Sequence, residues 1–85
     1  MVMIMNNEIL EKLKVVVSNI KGIKVEDLDF VTEDTKIRED LGLNSIGVLY
    51  AVFAIEQAFG FKFEELNFDS FQTVGDVISY IKQNI

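Results

Sequence analysis

Ser45 is the side chain with the most chemistry open to it. It stands in Asp40-Leu41-Gly42-Leu43-Asn44-Ser45-Ile46, a short turn that runs into a strongly apolar helical segment. A serine in that place has two uses. Its hydroxyl can cap the helix, a contribution of about 1 kcal/mol. Alternatively, the hydroxyl stays at the surface as the point where a prosthetic group is joined. Hydrolytic catalysis by this serine has almost no support. The chain contains no histidine to activate it, and no pattern brings Lys36 or Lys62 beside it.

The wider composition narrows the chemistry further. Without cysteine there is no disulfide and no thiolate metal site. Without histidine, imidazole acid–base work and most transition-metal sites are absent too. No catalytic residue is expected, and a stand-alone enzyme is disfavoured. Asp27 and Asp29 could open a calcium loop. However, Val31 takes the third ligand position, Thr32 the required glycine and Arg38 the bidentate glutamate, so no metal site is expected.

The 85 residues make one domain, 1–85, near the lower end of what folds alone. With 49% hydrophobic residues, a core is within reach. Fourteen acidic against eight basic side chains leave a formal net charge of −6. That balance disfavours nucleic acid and anionic membranes and favours basic protein partners. It equally serves plain solubility. Met1 to Met5 is apolar but too short for a signal-peptide core, and no apolar run approaches the roughly 18 residues of a membrane span. A soluble, cytoplasmic monomer is expected.

The elements that position Ser45 follow from apolar spacing. Asn6 or Asn7 can cap a first helix, with Glu8 and Glu11 near its positive end. Ile9, Leu13, Val16, Val17 and Ile20 form its buried stripe, Lys12, Lys14 and Lys21 lie elsewhere, and Gly22 stops it. Residues 23 to 44 make a long connection, unusual in a small domain. Ile23, Val25, Leu28, Phe30, Ile37, Leu41 and Leu43 punctuate it, so it reads as an ordered loop packed on the core, with a helical turn over Thr35 to Asp40.

Ser45 to Phe59 is the strongest helix. Val48, Val52, Ile55 and Phe59 form one apolar row, joined by Leu49; Ile46, Tyr50 and Phe53 form a second. A helix apolar on both sides is wrapped by neighbours or shows a greasy face to a partner. Gly60 ends it. Phe61-Lys62-Phe63 alternates like a very short strand, and Glu64 to Phe68 fits a brief third helix. Thr73 begins the last helix with Asp76 as its capping-box partner, burying Val74, Val77, Ile78 and Ile81. The sum is a small all-α bundle.

Glu39-Asp40-Leu41-Gly42-Leu43-Asn44-Ser45-Ile46, followed by a helix ending Ile55-Glu56-Gln57-Ala58-Phe59-Gly60, resembles the acyl carrier protein family. The loop from Asp34 to Leu41 and the closing segment from Thr73 to Ile81 fit the same family, so the resemblance covers the whole chain. It implies an antiparallel four-helix bundle with a long first loop and a short third helix. It implies 4′-phosphopantetheine on Ser45, attached from coenzyme A by a magnesium-dependent phosphopantetheinyl transferase. The terminal thiol of that arm carries an acyl group as a thioester to enzymes of fatty-acid, polyketide or related biosynthesis. In this family the cargo folds into a cleft between helices. Ala51, Ala54 and Ala58 leave room for one, although small residues also simply let helices pack closely.

The chain departs from the family in two places. Asn44 stands where the family's motif carries aspartate, keeping size and capping ability but losing the charge that serves the transferase's magnesium complex. Ile46 replaces leucine. The second helix also lacks the family's row of carboxylates. Gly47, Tyr50, Gln57 and Ala58 occupy that surface, and only Glu56 matches. Partner binding is therefore expected at Ile46, Tyr50, Phe53 and Glu56, with less reliance on charge. The alternative is that Tyr50 or Phe53 turns inward as core. Two other functions compete: an unmodified helical interaction module, and an aminoacyl or peptidyl carrier. The acidic composition and the Asp-Leu-Gly lead-in argue against the latter.

Overall fold

Sixteen residues of helical periodicity become α1, Asn6–Lys21, in a computed structural model that describes residues 6–63 and 71–85. Asn6 and Asn7 stand inside the first turn rather than before it, so the capping position falls outside the described residues. Glu8 in the first turn and Lys21 in the last complement the helix dipole. Ile9, Leu13 and Val16 are buried, while Val17 and Ile20 are half-buried at the edge of the stripe. Lys14 departs from expectation. Its stem lies along the protein, leaving the side chain 10% exposed with the ammonium 3.5 Å from Glu11. Gly22 ends α1 at φ 67°, where a Cβ would be strained.

The long connection is ordered by its own turns. A 3-10 turn spans Val25–Leu28, and Val31 N–H donates to Leu28 O at 3.0 Å. This winding drives Leu28 and Val31 into the core and leaves Phe30 outside, 57% exposed. Ile23 is exposed as well, so the expectation that Ile23 and Phe30 pack inward is corrected. Ile37, Leu41 and Leu43 do pack inward. Over 37–40 the chain makes a hydrogen-bonded turn, with Asp40 N–H and Leu41 N–H both donating to Lys36 O.

α2 spans Ser45–Phe59 and α3 spans Val74–Asn84. The capping box at Thr73 and Asp76 forms as expected, with Thr73 Oγ1 accepting from Asp76 N–H at 3.2 Å. The loop then seals the start of α3. Val74 N–H donates to Thr35 O, and Gly75 N–H donates to Glu33 O at 2.8 Å. A Cβ at Gly75 would sit 2.9 Å from that carbonyl oxygen, which explains a glycine in a helix's first turn. Val74, Ile78 and Ile81 complete the core, with Val77 half-buried.

Among the described residues there is no strand, only an isolated bridge between Lys36 and Thr73. Phe61-Lys62-Phe63 is not a strand either. Its rings join Phe71 and Tyr80, with Phe63 stacked on Tyr80 at 4.8 Å between centroids. The brief helix expected over Glu64 to Phe68 lies outside the described residues. The architecture is an all-helical bundle with a packed first loop.

Inside the bundle is a cavity of about 60 Å³ with a wholly apolar lining, reached by Leu13 and Val17 of α1, Ala51 of α2, Val77 of α3, and Leu41 and Phe63 between them. Ala51 is thus the small residue that leaves room, whereas Ala54 is half-buried and Ala58 exposed, and neither lines the cavity.

Candidate functional site

The site begins with Asn44, not Ser45. Asn44 is extended at φ −88°, ψ −177°, and its Oδ1 accepts from Gly47 N–H at 2.9 Å. Its carbonyl accepts the first helical bond from Val48 N–H. The cap is therefore filled by the asparagine, and the capping use considered for Ser45 is corrected. Ser45 is the first helical residue, exposed, and its hydroxyl makes no hydrogen bond among the described residues.

It stands at the donor end of a helix. The first N–H groups of a helix have no partner within it, and the dipole places partial positive charge there. Asn44 consumes only the N–H of Gly47, so those of Ser45 and Ile46 stay open among the described residues. No acidic side chain lies in the first turn of α2. An alcohol presented there is suited to becoming an anionic phosphate ester. An exposed hydroxyl, two open N–H groups and a cap already filled by a neutral amide fit the phosphodiester end of 4′-phosphopantetheine. No group of three metal-ligating side chains occurs among the described residues.

Gly47 has a role that sequence reading missed. A Cβ there would lie 3.4 Å from Leu43 Cδ2 and 3.6 Å from Asn44 Oδ1. Gly47 is thus the buried residue at which Leu43 and the Asn44 cap meet, within ordinary contact distance. Upstream, Leu41 and Leu43 anchor the turn in the core at 3% and 6% exposure, with Gly42 at φ 69° between them. Leu43 N–H donates to Ile37 O, and Asp40 Oδ2 accepts from Lys36 N–H. Lys21, at the end of α1, also reaches the turn, its Nζ donating to Leu41 O at 2.6 Å. That contact crosses 20 positions and carries no sequence signal.

The expected partner-facing residues share one side of α2. Ile46, Tyr50 and Phe53 are 65%, 63% and 55% exposed, with Leu49 beside them. The inward alternative for Tyr50 and Phe53 is therefore excluded. Leu49 belongs at the rim of this face as much as to the inner row. Glu56 is placed differently. Its carboxylate is half-buried and accepts from Phe63 N–H at 2.8 Å, tying the end of α2 to the chain that follows. No helix among the described residues is long and apolar enough to cross a membrane.

Comparison with known proteins agrees with this geometry. A family model described as "phosphopantetheine attachment site" matches residues 11–81. The acyl carrier protein of Thermotoga maritima is 35% identical over 78 residues, covering 92% of this chain and 93% of that protein. That of Phytoplasma australiense is 34% identical over 77 residues, covering 91% and 97%. That of Wolinella succinogenes is 37% identical over 70 residues, covering 78% and 92%. A free serine hydroxyl at a helix start, the all-helical fold and these similarities agree: the chain belongs to the acyl carrier protein family, a phosphopantetheine-bearing carrier rather than an enzyme.

Proposed function

We propose that Ser45 is the attachment residue and that the chain carries acyl groups through it to enzymes of fatty-acid or related biosynthesis. The observation that supports this most strongly is the filled cap. With Asn44 bonded to Gly47 N–H, the Ser45 hydroxyl has no structural duty and faces solvent. When bound, 4′-phosphopantetheine supplies a terminal thiol that holds the acyl group as a thioester. The chain's part is to present Ser45, to offer the open N–H groups of Ser45 and Ile46 to the ester phosphate, and to shelter apolar surface in the cavity lined by Ala51 and Leu13. The reading takes residues 1–85 as one domain working as a cytoplasmic monomer.

The family implies a phosphopantetheinyl transferase and biosynthetic enzymes as partners. In this chain the exposed row Ile46, Tyr50 and Phe53 supports docking through apolar contact, because the one carboxylate of α2, Glu56, is engaged internally. Asn44 serves as neutral cap and motif neighbour.

Incubation with coenzyme A, magnesium and a broad-specificity transferase, read by intact mass, tests the proposal. The wild-type chain is expected to gain one phosphopantetheine and Ser45→Ala none. No gain with several transferases would favour an unmodified interaction module built on the apolar face of α2.

A further inference from the structure

The turn that presents Ser45 is held from a distance. Three of its N–H groups are satisfied locally: those of Asp40 and Leu41 by Lys36 O, and that of Leu43 by Ile37 O. Its one polar tie to α1 among the described residues is the bond from Lys21 Nζ to Leu41 O, at 2.6 Å. A bond from an ammonium to a carbonyl is charge-assisted and stronger than a neutral one.

Two neighbouring features are fitted to that tie. Gly42, the next residue, takes φ 69°, and a Cβ there would stand 3.4 Å from Lys21 Nζ. The glycine is required by that left-handed turn, and the ammonium lies beside it at ordinary contact distance. Leu41 and Leu43, on either side of Gly42, are fixed in the core. Leu43 in turn packs under Gly47 and the Asn44 cap. A continuous set of contacts thus runs from the end of α1 through Leu41, Gly42 and Leu43 to the cap beside Ser45.

We infer that Lys21 is a positioning residue for modification of Ser45, setting the height and direction of the turn from which the hydroxyl is offered. This rests on Ser45 being the attachment residue. In the transfer, Ser45 Oγ forms a bond to phosphorus, the bond from that phosphorus to the adenosine 3′,5′-bisphosphate of coenzyme A breaks, and the hydroxyl proton passes to a base on the transferase. Such an in-line exchange is sensitive to sub-ångström placement of the attacking oxygen. Lys21 touches neither reactant and acts only through the turn.

The test compares wild-type, Lys21→Met and Lys21→Arg chains as full-length proteins. Met keeps an apolar stem and removes the donor; Arg restores a charged donor. Loading with coenzyme A and magnesium is followed by intact mass over time at several carrier concentrations. Amide hydrogen exchange is read separately on residues 42–47. Lys21→Met is expected to lower kcat for loading about tenfold, with KM for the carrier changed less than about twofold, since the face of α2 is untouched. Exchange at Leu43 and Gly47 should quicken in the same variant, and Lys21→Arg should recover most of both effects. Loading of Lys21→Met at the wild-type rate with unchanged exchange would overturn this inference alone. A wild-type chain that never gains mass would overturn the attachment reading and this inference with it.

Discussion

Asn44 and Ser45 divide between them two tasks that a single serine cannot do at once. A hydroxyl bound to the N–H groups of its own helix is not free to be esterified. Moving the cap one residue upstream frees it. Asn44→Ala should therefore destabilise the fold by about 1 kcal/mol in chemical denaturation, because Gly47 N–H loses its acceptor. Asn44→Asp keeps the acceptor and adds a negative charge at the helix start. It should stabilise by roughly 0.3–1 kcal/mol at low salt and load with the arm at least as fast as wild type. Slower loading of the aspartate variant would show that the neutral amide is what the transferase reads. The motif around Ser45 was legible in sequence, because its residue types and order are local. The roles of Gly47 and Lys21 were not, because each is defined by what lies across a gap of space.

At the scale of the element, α2 carries two apolar rows with different fates. Val48, Val52 and Ile55 are buried, and Ile46, Tyr50 and Phe53 are not. Periodicity gave both rows equal weight, since hydrophobicity alone does not say which side meets the bundle. The lack of free carboxylates on α2 leads to a clear expectation for binding. Tyr50→Ala and Phe53→Ala should each weaken a partner enzyme by about 2 kcal/mol while leaving thermal unfolding nearly unchanged. Raising salt from low ionic strength to about 0.5 M should weaken the same complex less than about threefold. A steep salt dependence would return the interface to charge. The start of α3 offers a separate check. Gly75→Ala would drive a methyl against Glu33 O at 2.9 Å, a backbone atom that cannot rotate away. A loss of roughly 1–3 kcal/mol is expected, read as a lower Tm.

Across the whole molecule, stability rests on few residues, as befits 85 of them. Ile78 is 1% exposed, at the meeting of α3 with the core. Truncation to alanine should cost about 2–5 kcal/mol, a large part of what a domain this size commands. The long first loop shows how far sequence carries. That it packs was readable from its spaced apolar residues. Which of them turn inward was not: Val31 displaces Phe30 because a 3-10 turn, set by backbone hydrogen bonds, fixes the winding. The apolar cavity, too, emerges only when α1, α2, α3 and the loop come together, and only Ala51 of the three small residues on α2 reaches it.

The most direct measurement is to load the wild-type chain, digest it, and locate the added phosphopantetheine by fragment masses. Two of the three other serines offer a structural contrast within one experiment; Ser70 lies outside the described residues. Ser18 is buried and donates to Val15 O at 2.7 Å, and Ser79 lies exposed in the middle of α3, away from any helix start. The account predicts that the whole of the added mass maps to Ser45. Added mass on any other serine would contradict it.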